Sequence, residues 1–495
     1  NTHENTLTTS NVNANQFGKR VSFPVDGQVY AQPLFMPELT IDGSAHNVVI
    51  VATENDSVYA FDADATDPAT PPLWHTSFLT NGATTPTVDD LLPGTGYLCD
   101  DLTPNIGITG TPVIDPSTGT IFVVAYTLEN GQLQYHLHAL DLITGLDKPG
   151  SPTLIEASTP GNSSDSVDGV VTFDPTHERQ RSALLLANGQ VYIAWGSFCD
   201  VTPYHGWIIS YDSQTLKQSG VFNDTPDGGL GGIWGSANAL AADPTGNIYA
   251  ITGNGTFDLN SGGRDAGDSF IKLDPGLHLL DSFTPFNQQC LEANDDDLGS
   301  GGPLLLPTTN EIVGAGKEGR IYVVDRGNMG QFTPADDPCG SDLSRTDIDR
   351  VLQESAPQTI GPLFSTPTYW NGPNGEYVFF GGVSDTVKAY QLTGGQLSAA
   401  PTSQTAQQFS YPGGNSVVSS NGTFAGTGVL WVLDPSATLH AYDATDLSQE
   451  LYNSSTNADR DALDSYVKFT APIVANGEVF VGTQTSLTIY GLLNG

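Results

Sequence analysis

The sequence Val58-Tyr-Ala-Phe-Asp62 is the first copy of a short pattern that recurs along this chain of 495 residues. Each copy is a run of apolar or aromatic residues that usually ends in Asp and is followed by a turn. Eight copies are present, starting at Val58, Leu137, Ile208, Phe270, Ile321, Val387, Leu439 and Leu487. They are spaced about 61 residues apart on average, and self-similarity at such a period indicates a repeat architecture.

Other apolar strands precede the copies of the pattern. The nearer one is strongly apolar, as at residues 47–53 and 479–483, and the earlier one contains small residues, as in Thr111-Pro-Val-Ile and Ala471-Pro-Ile-Val. Small residues suit innermost strands, which crowd around a central channel. Turn residues separate the strands, and helical periodicity is almost absent. Four-stranded units repeated around an axis form a propeller, so we predict an all-β, eight-bladed β-propeller.

The two ends of the chain are expected to close the ring together. The last unit, residues 469–492, shows only three strands, and residues 19–25 have no unit of their own. We therefore predict that this N-terminal stretch supplies the missing outer strand and removes the free sheet edges. The alternatives are two stacked four-unit sheets, or a seven-bladed ring with one degenerate unit.

The whole chain, residues 1–495, is predicted to be one domain, because no stretch resembles a linker. Blades are expected at approximately residues 28–80, 108–160, 181–225, 234–286, 300–335, 363–405, 414–456 and 468–492, the last with residues 19–25. The longest irregular stretches are residues 81–108, 287–299 and 336–362. Such loops usually shape one face of a propeller, where function lies.

Composition excludes some classes of function. The chain has 16 Lys and Arg against 55 Asp and Glu, a net charge of −39, so nucleic acid is not an expected partner. No apolar run reaches the roughly 18 residues that a membrane span requires. We expect a secreted, extracellular or periplasmic protein whose signal peptide has been removed.

The cysteines and the N-glycosylation sequons are consistent with an exported protein. The four cysteines, Cys99, Cys199, Cys290 and Cys339, indicate two disulfides or four buried thiols. No CxxC or CxxCH motif is present, so neither a zinc ribbon nor an attached haem is expected. N-glycosylation sequons begin at Asn55, Asn162, Asn223, Asn254, Asn421 and Asn453. Asn254 is expected to stay unmodified, because it belongs to a motif described below.

Basic residues are rare here, so their positions are informative. Arg181 ends the segment His177-Glu-Arg-Gln-Arg181 just before an innermost strand, and is expected near the channel mouth. It is suited to bidentate binding of an anionic group, although an ion pair with the many acids is the simpler interpretation. Lys317 lies on a tight turn between two strands, where it is either ordinary turn chemistry or a ligand contact.

Acidic and aromatic residues supply further candidates. Asp200 and His205 flank Tyr204 on one loop and could bind a metal or move protons, although His205 is equally compatible with a buried structural role. The run Asn294-Asp-Asp-Asp297 suits Ca²⁺, or a carboxylate with a raised pKa, or simply a solvated loop. Trp234 offers either a stacking face or core packing.

Together these segments resemble the PQQ-dependent alcohol dehydrogenases. The similar motifs, in chain order, are Gly231-Gly-Ile-Trp234, Thr252-Gly-Asn254, Gly267-Asp268, Thr284-Pro285 and Lys317-Glu-Gly319. The resemblance implies that Trp234 stacks on PQQ and that Asn254 binds Ca²⁺. It also implies that Asp297 is the catalytic base beside the metal and that Lys317 contacts the quinone oxygens.

The chain also departs from the pattern of that family. Leu98-Cys99 stands where the family often has two adjacent cysteines, and Asn105-Ile-Gly107 replaces an Asn-Arg-Gly. Asp200 is the only residue that could substitute for the metal-binding glutamate of the family, and Glu318 stands where an Asn is usual. These departures affect the cofactor site more than the fold.

Three functions follow from these observations. The first is an oxidoreductase that oxidises an alcohol or sugar with PQQ and Ca²⁺, and passes electrons to a separate acceptor because no haem motif is present. The second is a cofactor-free lyase or hydrolase for acidic sugar chains. Arg181 and Lys317 would hold the sugar, while His205, Tyr204 or an Asp would move protons. The third is a non-catalytic binding propeller.

Overall fold

The Asp at the end of a repeat copy fixes the turn that follows it. Asp141 Oδ1 accepts hydrogen bonds from the backbone N–H groups of Ile143 and Thr144, at 3.1 and 3.0 Å. Asp212 Oδ1 accepts the N–H of Thr215 in the same way, at 2.8 Å. Asp favours turns because its short side chain can bond to the backbone a few residues on. The repeated pattern therefore ends each strand and reverses the chain at a defined residue.

The computed structural model describes residues 1–91, 102–236 and 238–493, whose strands form eight blades in a ring. This confirms the predicted eight-bladed, all-β propeller. The chain begins with β1 (Phe17–Pro24), and blade 1 then contains β2 (Leu34–Ile41), β3 (Ser44–Thr53), β4 (Ser57–Asp62) and β5 (Trp74–Ser77). Blade 2 contains β6 (Val113–Asp115), β7 (Thr120–Glu129), β8 (Gln132–Asp141) and β9 (Thr153–Leu154).

The third and fourth blades follow a small separate hairpin, formed by β10 (Ser158–Pro160) and β11 (Val170–Thr172). Blade 3 contains β12 (Glu178–Gln180), β13 (Leu185–Ala187), β14 (Gln190–Ser197), β15 (Trp207–Asp212) and β16 (Gln218–Asn223). Blade 4 contains β17 (Ala241–Ala242), β18 (Ile248–Ile251), β19 (Phe270–Leu273) and β20 (Leu279–Thr284).

The fifth and sixth blades complete the middle of the chain. Blade 5 contains β21 (Leu304–Leu305), β22 (Glu311–Ala315), β23 (Ile321–Asp325) and its outer strand β25 (Gln353–Glu354). Between β23 and β25 in the chain, β24 (Gln331–Phe332) pairs in parallel with β20 of blade 4. Blade 6 contains β26 (Thr368–Gly372), β27 (Gly375–Gly381), β28 (Asp385–Thr393), β29 (Gln396–Leu397) and β30 (Ser403–Phe409).

The last two blades close the ring. Blade 7 contains β31 (Asn415–Ser419), β32 (Val429–Asp434), β33 (Thr438–Asp443) and β34 (Glu450–Asn453). Blade 8 contains β35 (Ile473–Ala475), β36 (Glu478–Gly482) and β37 (Ser486–Leu492), and its outer strand is β1. β1 pairs antiparallel with β37, with Phe17 opposite Leu492 and Pro24 opposite Ser486. The predicted closing strand, residues 19–25, is thus confirmed with nearly the predicted bounds.

The core is divided into apolar layers that lie mostly between adjacent blades. One such layer joins Phe23 of β1 and Phe480 of blade 8 to Val49 and Phe61 of blade 1. Because a blade packs against a neighbour on each side, both faces of its middle strands are buried, and the sequence shows continuous apolar runs rather than alternation. The pattern that decides the fold is therefore also the pattern that forms the core.

Two short helices interrupt the predicted all-β chain. α1 (Gln288–Asn294) lies within the stretch 287–299, which the sequence presents as irregular, and α2 (Ala458–Asp461) follows β34. Cys290 of α1 forms a disulfide with Cys339, and Cys199 is also disulfide-bonded. Cys99 lies outside the described residues. No helix in the described ranges is long and apolar enough to cross a membrane. The assignment of residues 1–495 to one domain remains a prediction.

Several carboxylic acids are buried in this fold. Glu54, Asp224 and Glu478 are at most 3% exposed. Burial raises the pKa of Glu54 to about 7, of Asp224 to about 6 and of Glu478 to about 7, although hydrogen bonds and nearby cations oppose the shift. These carboxyl groups therefore remain protonated in the folded chain at a pH where they ionise in the unfolded chain.

The raised pKa values of these buried acids predict how the stability of the fold depends on pH. Between about pH 4 and 7 they bind more protons in the folded state, so the free energy of unfolding falls as the pH rises through this window. Repulsion from the net charge of −39 acts in the same direction. We expect Tm to be a few degrees higher near pH 5 than near pH 8, measured by calorimetry in matched buffers. A Tm that increases from pH 5 to 8 would contradict this account.

Candidate functional site

The candidate residues lie on loops that meet at one end of the ring, which we call the loop face. These loops either join the second and third strands of a blade or precede an innermost strand. The loop face comprises residues 178–182, 197–207, 231–236, 252–256, 295–298 and 315–320. Rigid strands thus hold loops from blades 3, 4 and 5 close together, which suits a functional site.

A carboxylate–ammonium pair lies at the centre of the loop face. Asp297 Oδ2 is 2.7 Å from Lys317 Nζ, and Lys317 Nζ also donates to Asp295 Oδ1 at 2.8 Å. Asp297 is 8% exposed, whereas the side chain of Asp295 is 74% exposed. Burial raises the pKa of Asp297 despite the opposing charge of Lys317. Burial alone would lower the pKa of Lys317, but the attraction of Asp297 and Asp295 outweighs this effect, and the pKa is raised.

The three consecutive acids do not form one cluster. α1 ends at Asn294, and Asp295 follows in the left-handed conformation at φ 57°, which turns the chain sharply. As a result Asp295 is exposed, Asp296 is half-buried and Asp297 is buried. The sequence interpretations of a shared Ca²⁺ loop and of a solvated loop therefore each describe only part of this segment.

Asn254 connects this pair to blade 4. Its backbone N–H donates to Asp297 Oδ1 at 2.8 Å, and its side-chain Nδ2 donates to Asp295 Oδ1 at 3.1 Å. Asn254 is 7% exposed, and within the described ranges its Oδ1 accepts no hydrogen bond. A buried carbonyl oxygen without a donor is costly unless a ligand or cation satisfies it. The side chain is also too enclosed to carry a glycan.

Trp234 and the carboxylate of Asp297 both border Gly253. A methyl group at Gly253 would lie 2.5 Å from Asp297 Oδ1 and 2.6 Å from Trp234 Cδ1, so only glycine fits between them. A methyl at Gly196 would meet three neighbouring ring atoms at 2.9 to 3.2 Å, which places it over the face of the indole. Trp234 Nε1 donates to the carbonyl of Gly231 at 2.9 Å, which fixes the ring orientation.

Arg181 lies over the indole. Its guanidinium carbon is 5.3 Å from the Trp234 ring centroid and 4.7 Å from that of Phe469. Its Nε donates to the backbone carbonyl of Trp234 at 2.7 Å. Arg181 is therefore near the candidate site, as the sequence predicts, but it is held between two aromatic rings. Trp234 itself is only 8% exposed.

Asp200 approaches the pair from blade 3. Burial raises its pKa, and repulsion from Asp297 and Asp295 raises it further, so these carboxylates are close enough to interact. Tyr204 donates its hydroxyl to Asp200 Oδ1 at 3.2 Å and packs edge-on against Trp234 with ring centroids 6.0 Å apart. The loop that carries Asp200 therefore belongs to the same site.

His205 has a different environment, although it neighbours Tyr204 in the chain. It is 1% exposed, with Nδ1 at 3.0 Å from Thr225 Oγ1 and Nε2 at 3.3 Å from Asp165 Oδ1. Both ring nitrogens are thus engaged by blade 3 and by the hairpin region before it. The geometry favours the structural interpretation of His205 over a catalytic one.

Two buried acids support the site by fixing its loops. Asp224 Oδ1 and Oδ2 accept the N–H groups of Gly206 and Gly232, at 2.7 and 2.8 Å, and so fix the loops before Trp207 and Trp234. Asp268 Oδ1 accepts the N–H of Leu298 at 3.1 Å, next to Asp297. Asp268 belongs to the motif Gly267-Asp268 of the resemblance, whereas only its position directly after β16 could have marked Asp224.

The described residues contain no group of three or more His, Cys, Asp or Glu side chains arranged to hold a metal ion. The oxygens available beside Asn254 Oδ1 are the carboxylates of Asp297 and Asp200. Such a hard oxygen set would suit Ca²⁺ only if the cofactor or water completed its six to eight ligands. Metals that prefer nitrogen or sulfur ligands, such as Zn²⁺ and Cu⁺, do not suit these residues.

No protein-family model and no curated protein sequence matches the chain. Among solved structures it is similar to a europium-containing methanol dehydrogenase, with TM-score 0.60, 15% identity, and coverage of 99% of this chain and 95% of the other. It is also similar to a quinohemoprotein alcohol dehydrogenase of Pseudomonas putida HK5, with TM-score 0.59, 13% identity, and coverage of 99% and 78%.

A third similar structure is BamB from Moraxella catarrhalis, with TM-score 0.50, 14% identity, and coverage of 94% of this chain and 98% of the other. Identities at this level establish a shared fold and no shared chemistry. The relationship to the quinoprotein dehydrogenases is thus one of propeller architecture.

Proposed function

We propose that this protein is a quinoprotein-like oxidoreductase that oxidises an alcohol or sugar with PQQ and Ca²⁺. The observation that carries the proposal is the contact network of Trp234, Asn254, Asp297 and Lys317. These residues come from four separate loops of blades 4 and 5, and the resemblance implies a role in the cofactor site for each of them. The bonds of Asp297 to Asn254 at 2.8 Å and to Lys317 at 2.7 Å, together with the position of Trp234 beside Gly253, support a common site.

The residues fit the cation. Asn254 Oδ1 is a buried oxygen without a donor in the described part of the chain, and it lies beside the carboxylate of Asp297. Asp200 is close enough for its charge to interact with that of Asp297. A divalent cation would satisfy the orphaned oxygen and relieve the repulsion between these carboxylates.

The residues fit the quinone in part. Trp234 is a fixed flat ring beside the cation site, and Arg181 is a partner for carboxylate groups. The guanidinium of Arg181 lies over the indole, however, so a stacked ring would require this side chain to move aside. Quinone binding is therefore expected to reposition Arg181.

The roles of the protein side chains follow from their environment. Asp297 would accept the proton of the substrate hydroxyl, and its raised pKa makes it a stronger base than an exposed Asp. Lys317, held protonated by Asp297 and Asp295, would donate a hydrogen bond to an oxygen that gains negative charge. When bound, PQQ would accept the two electrons, and a separate acceptor would then reoxidise it.

Secretion is part of the proposal. The Cys290–Cys339 disulfide supports an oxidising compartment, either extracellular or periplasmic. The large negative charge supports solubility outside the cell, and it argues against nucleic acid as a partner. Glycosylation of the exposed sequons remains an expectation.

The low exposure of Trp234 favours a second candidate. With 8% of the residue exposed, the site could act without a quinone as an acid–base centre on a carbohydrate. Asp297 would then be the base and Lys317 the electrostatic partner. A hydrolase would in addition need two carboxylates at a defined separation.

Dye reduction separates these two functions. Purified protein loaded with PQQ and Ca²⁺ is expected to reduce an artificial electron acceptor when an alcohol or sugar from a broad panel is added. Omission of either PQQ or Ca²⁺ should abolish the signal. Cleavage of a polysaccharide without any cofactor would support the second candidate and overturn the first.

A further inference from the structure

A cavity of about 700 Å³ opens beside the candidate site and shares Lys317 with it. One wall is α1 with Leu291 and the Cys290–Cys339 disulfide. The opposite wall is formed by Ile360 and by Ser384 and its neighbours from blade 6. The volume lies within the range of about 300–1,000 Å³ that small-molecule sites occupy.

The cavity is continuous with the proposed catalytic centre through shared residues. Lys317 lines the cavity, and its Nζ is 2.7 Å from Asp297 Oδ2. Asp296, the residue before Asp297, also lines the cavity. A molecule bound here would therefore contact Lys317, which is bound to the carboxylate that is proposed to take its proton.

The charges of the cavity wall disfavour an anionic ligand. Lys388 is paired with Asp385 at 2.7 Å, and Lys317 is bound to Asp295 and Asp297, so both lysines of the wall are already neutralised. Asp296 accepts no side-chain hydrogen bond within the described residues, and the charge of Lys317 that acts on it is shared with Asp295 and Asp297. An anion would meet repulsion here and find no available cation.

Hydrogen-bond acceptors predominate among the groups that remain. Glu318 contributes a carboxylate to the cavity wall, and its Oε1 accepts a hydrogen bond at 3.1 Å from Nδ2 of Asn287, which is 0% exposed. Asp296 and Gln358 add further acceptors. A ligand that complements this wall must be rich in hydrogen-bond donors.

The apolar part of the cavity wall further limits which ligands fit. Leu291, Leu343 and Ile360, together with the disulfide, form apolar surface beside these acceptors. Sugars and polyols present both C–H surface and many hydroxyl donors, whereas a simple short alcohol would leave most of this volume empty. The hydroxyl to be oxidised is also the donor that Asp297 would need.

We infer that this cavity is the substrate subsite and that it selects neutral sugars or polyols over acidic ones. The inference rests on the proposed function for the identity of the reacting group, but not for the binding itself. The expected ligand is therefore uncharged and rich in hydroxyl groups, unlike an acidic sugar chain.

Binding can be measured without PQQ or Ca²⁺, by calorimetry and ligand-observed NMR. The probes are neutral hexoses, pentoses, disaccharides and linear polyols, with glucose, glucuronate and glucosamine as a set matched in shape. We expect at least one neutral probe to bind, and its uronate to bind at least about tenfold more weakly. Glucosamine, whose ammonium group Asp296 would attract, should bind at least as well as glucose. Failure of every neutral probe, or binding of the uronate as tight as that of the neutral sugar, would overturn the inference.

Three variants locate the binding. Leu343→Trp, from the half-buried cavity wall, should fill the space and weaken binding at least about tenfold, whereas Leu352→Trp, at an exposed position of the same loop, should change little. Asp296→Asn should restore uronate binding toward that of the neutral sugar. Unchanged binding in Leu343→Trp would place the ligand elsewhere and overturn the assignment.

This design separates the two proposals. Sugar binding that Leu343→Trp removes, without dye reduction in the loaded protein, would keep the subsite and reject the oxidoreductase. Dye reduction with small alcohols in a protein that binds no sugar would keep the oxidoreductase and reject the subsite.

Discussion

Replacing Asp297 by Asn is expected to lower kcat by about 10²–10⁴-fold, the usual contribution of a general base. Asn keeps the size of the side chain and one oxygen for the N–H of Asn254, which now bonds to Asp297 Oδ1 at 2.8 Å. It cannot accept the substrate proton. The assay is steady-state dye reduction with protein loaded with PQQ and Ca²⁺, together with a thermal melt to verify folding.

Asp295→Asn is the matched control for this experiment. Asp295 binds the same ammonium group, that of Lys317, at 2.8 Å, but its side chain is 74% exposed. An exposed ion pair contributes little, so kcat should change less than about threefold. Full activity of the Asp297→Asn protein would remove Asp297 from the mechanism. Equal losses in both variants would assign the effect to Lys317 rather than to a base.

Replacing Phe23 by Ala is expected to lower the free energy of unfolding by about 3–5 kcal/mol, the typical cost of such a cavity. Phe23 lies in β1, which closes the ring, and it is 0% exposed. Its ring stacks on Phe61 of blade 1 with centroids 4.9 Å apart. The substitution therefore weakens the contact between the last blade and the first.

Phe424→Ala is the matched control, because this ring is 68% exposed. Its removal should change stability by no more than about 0.5 kcal/mol. Denaturant unfolding followed by tryptophan fluorescence measures both variants under the same conditions. Similar stabilities of the two variants would mean that β1 contributes little to closure of the ring.

Most of the fold could be predicted from the sequence, because its deciding signal is local and repeated. Each copy of the pattern encodes a buried third strand, and its Asp encodes the turn, as the bonds of Asp141 to its turn show. Closure of the ring by residues 19–25 could be predicted because the last unit shows only three strands. α1 could not be predicted, because it is seven residues long and shows too little periodicity.

The candidate site was predictable only in part. The motifs indicate Trp234, Asn254, Asp297 and Lys317; Asp297 is bound to both Asn254 and Lys317, and Trp234 borders the adjacent Gly253. The separation of Asp295 from Asp297 depends on a left-handed residue at the end of α1, which no sequence motif indicates. The environment of His205 depends on Asp165, which is 40 residues away in the chain. The cavity beside Lys317 arises from the packing of several loops.

Quinone binding tests the central proposal most directly, because it requires no knowledge of the substrate. Protein free of cofactor would be titrated with PQQ, with and without Ca²⁺, while the quinone absorbance and the tryptophan fluorescence are followed. The proposal predicts saturable binding that depends on Ca²⁺ and is weakened by substitution of Asn254 or Trp234. Absence of binding at micromolar PQQ in the presence of Ca²⁺ would contradict it, and would leave the cofactor-free acid–base function as the alternative.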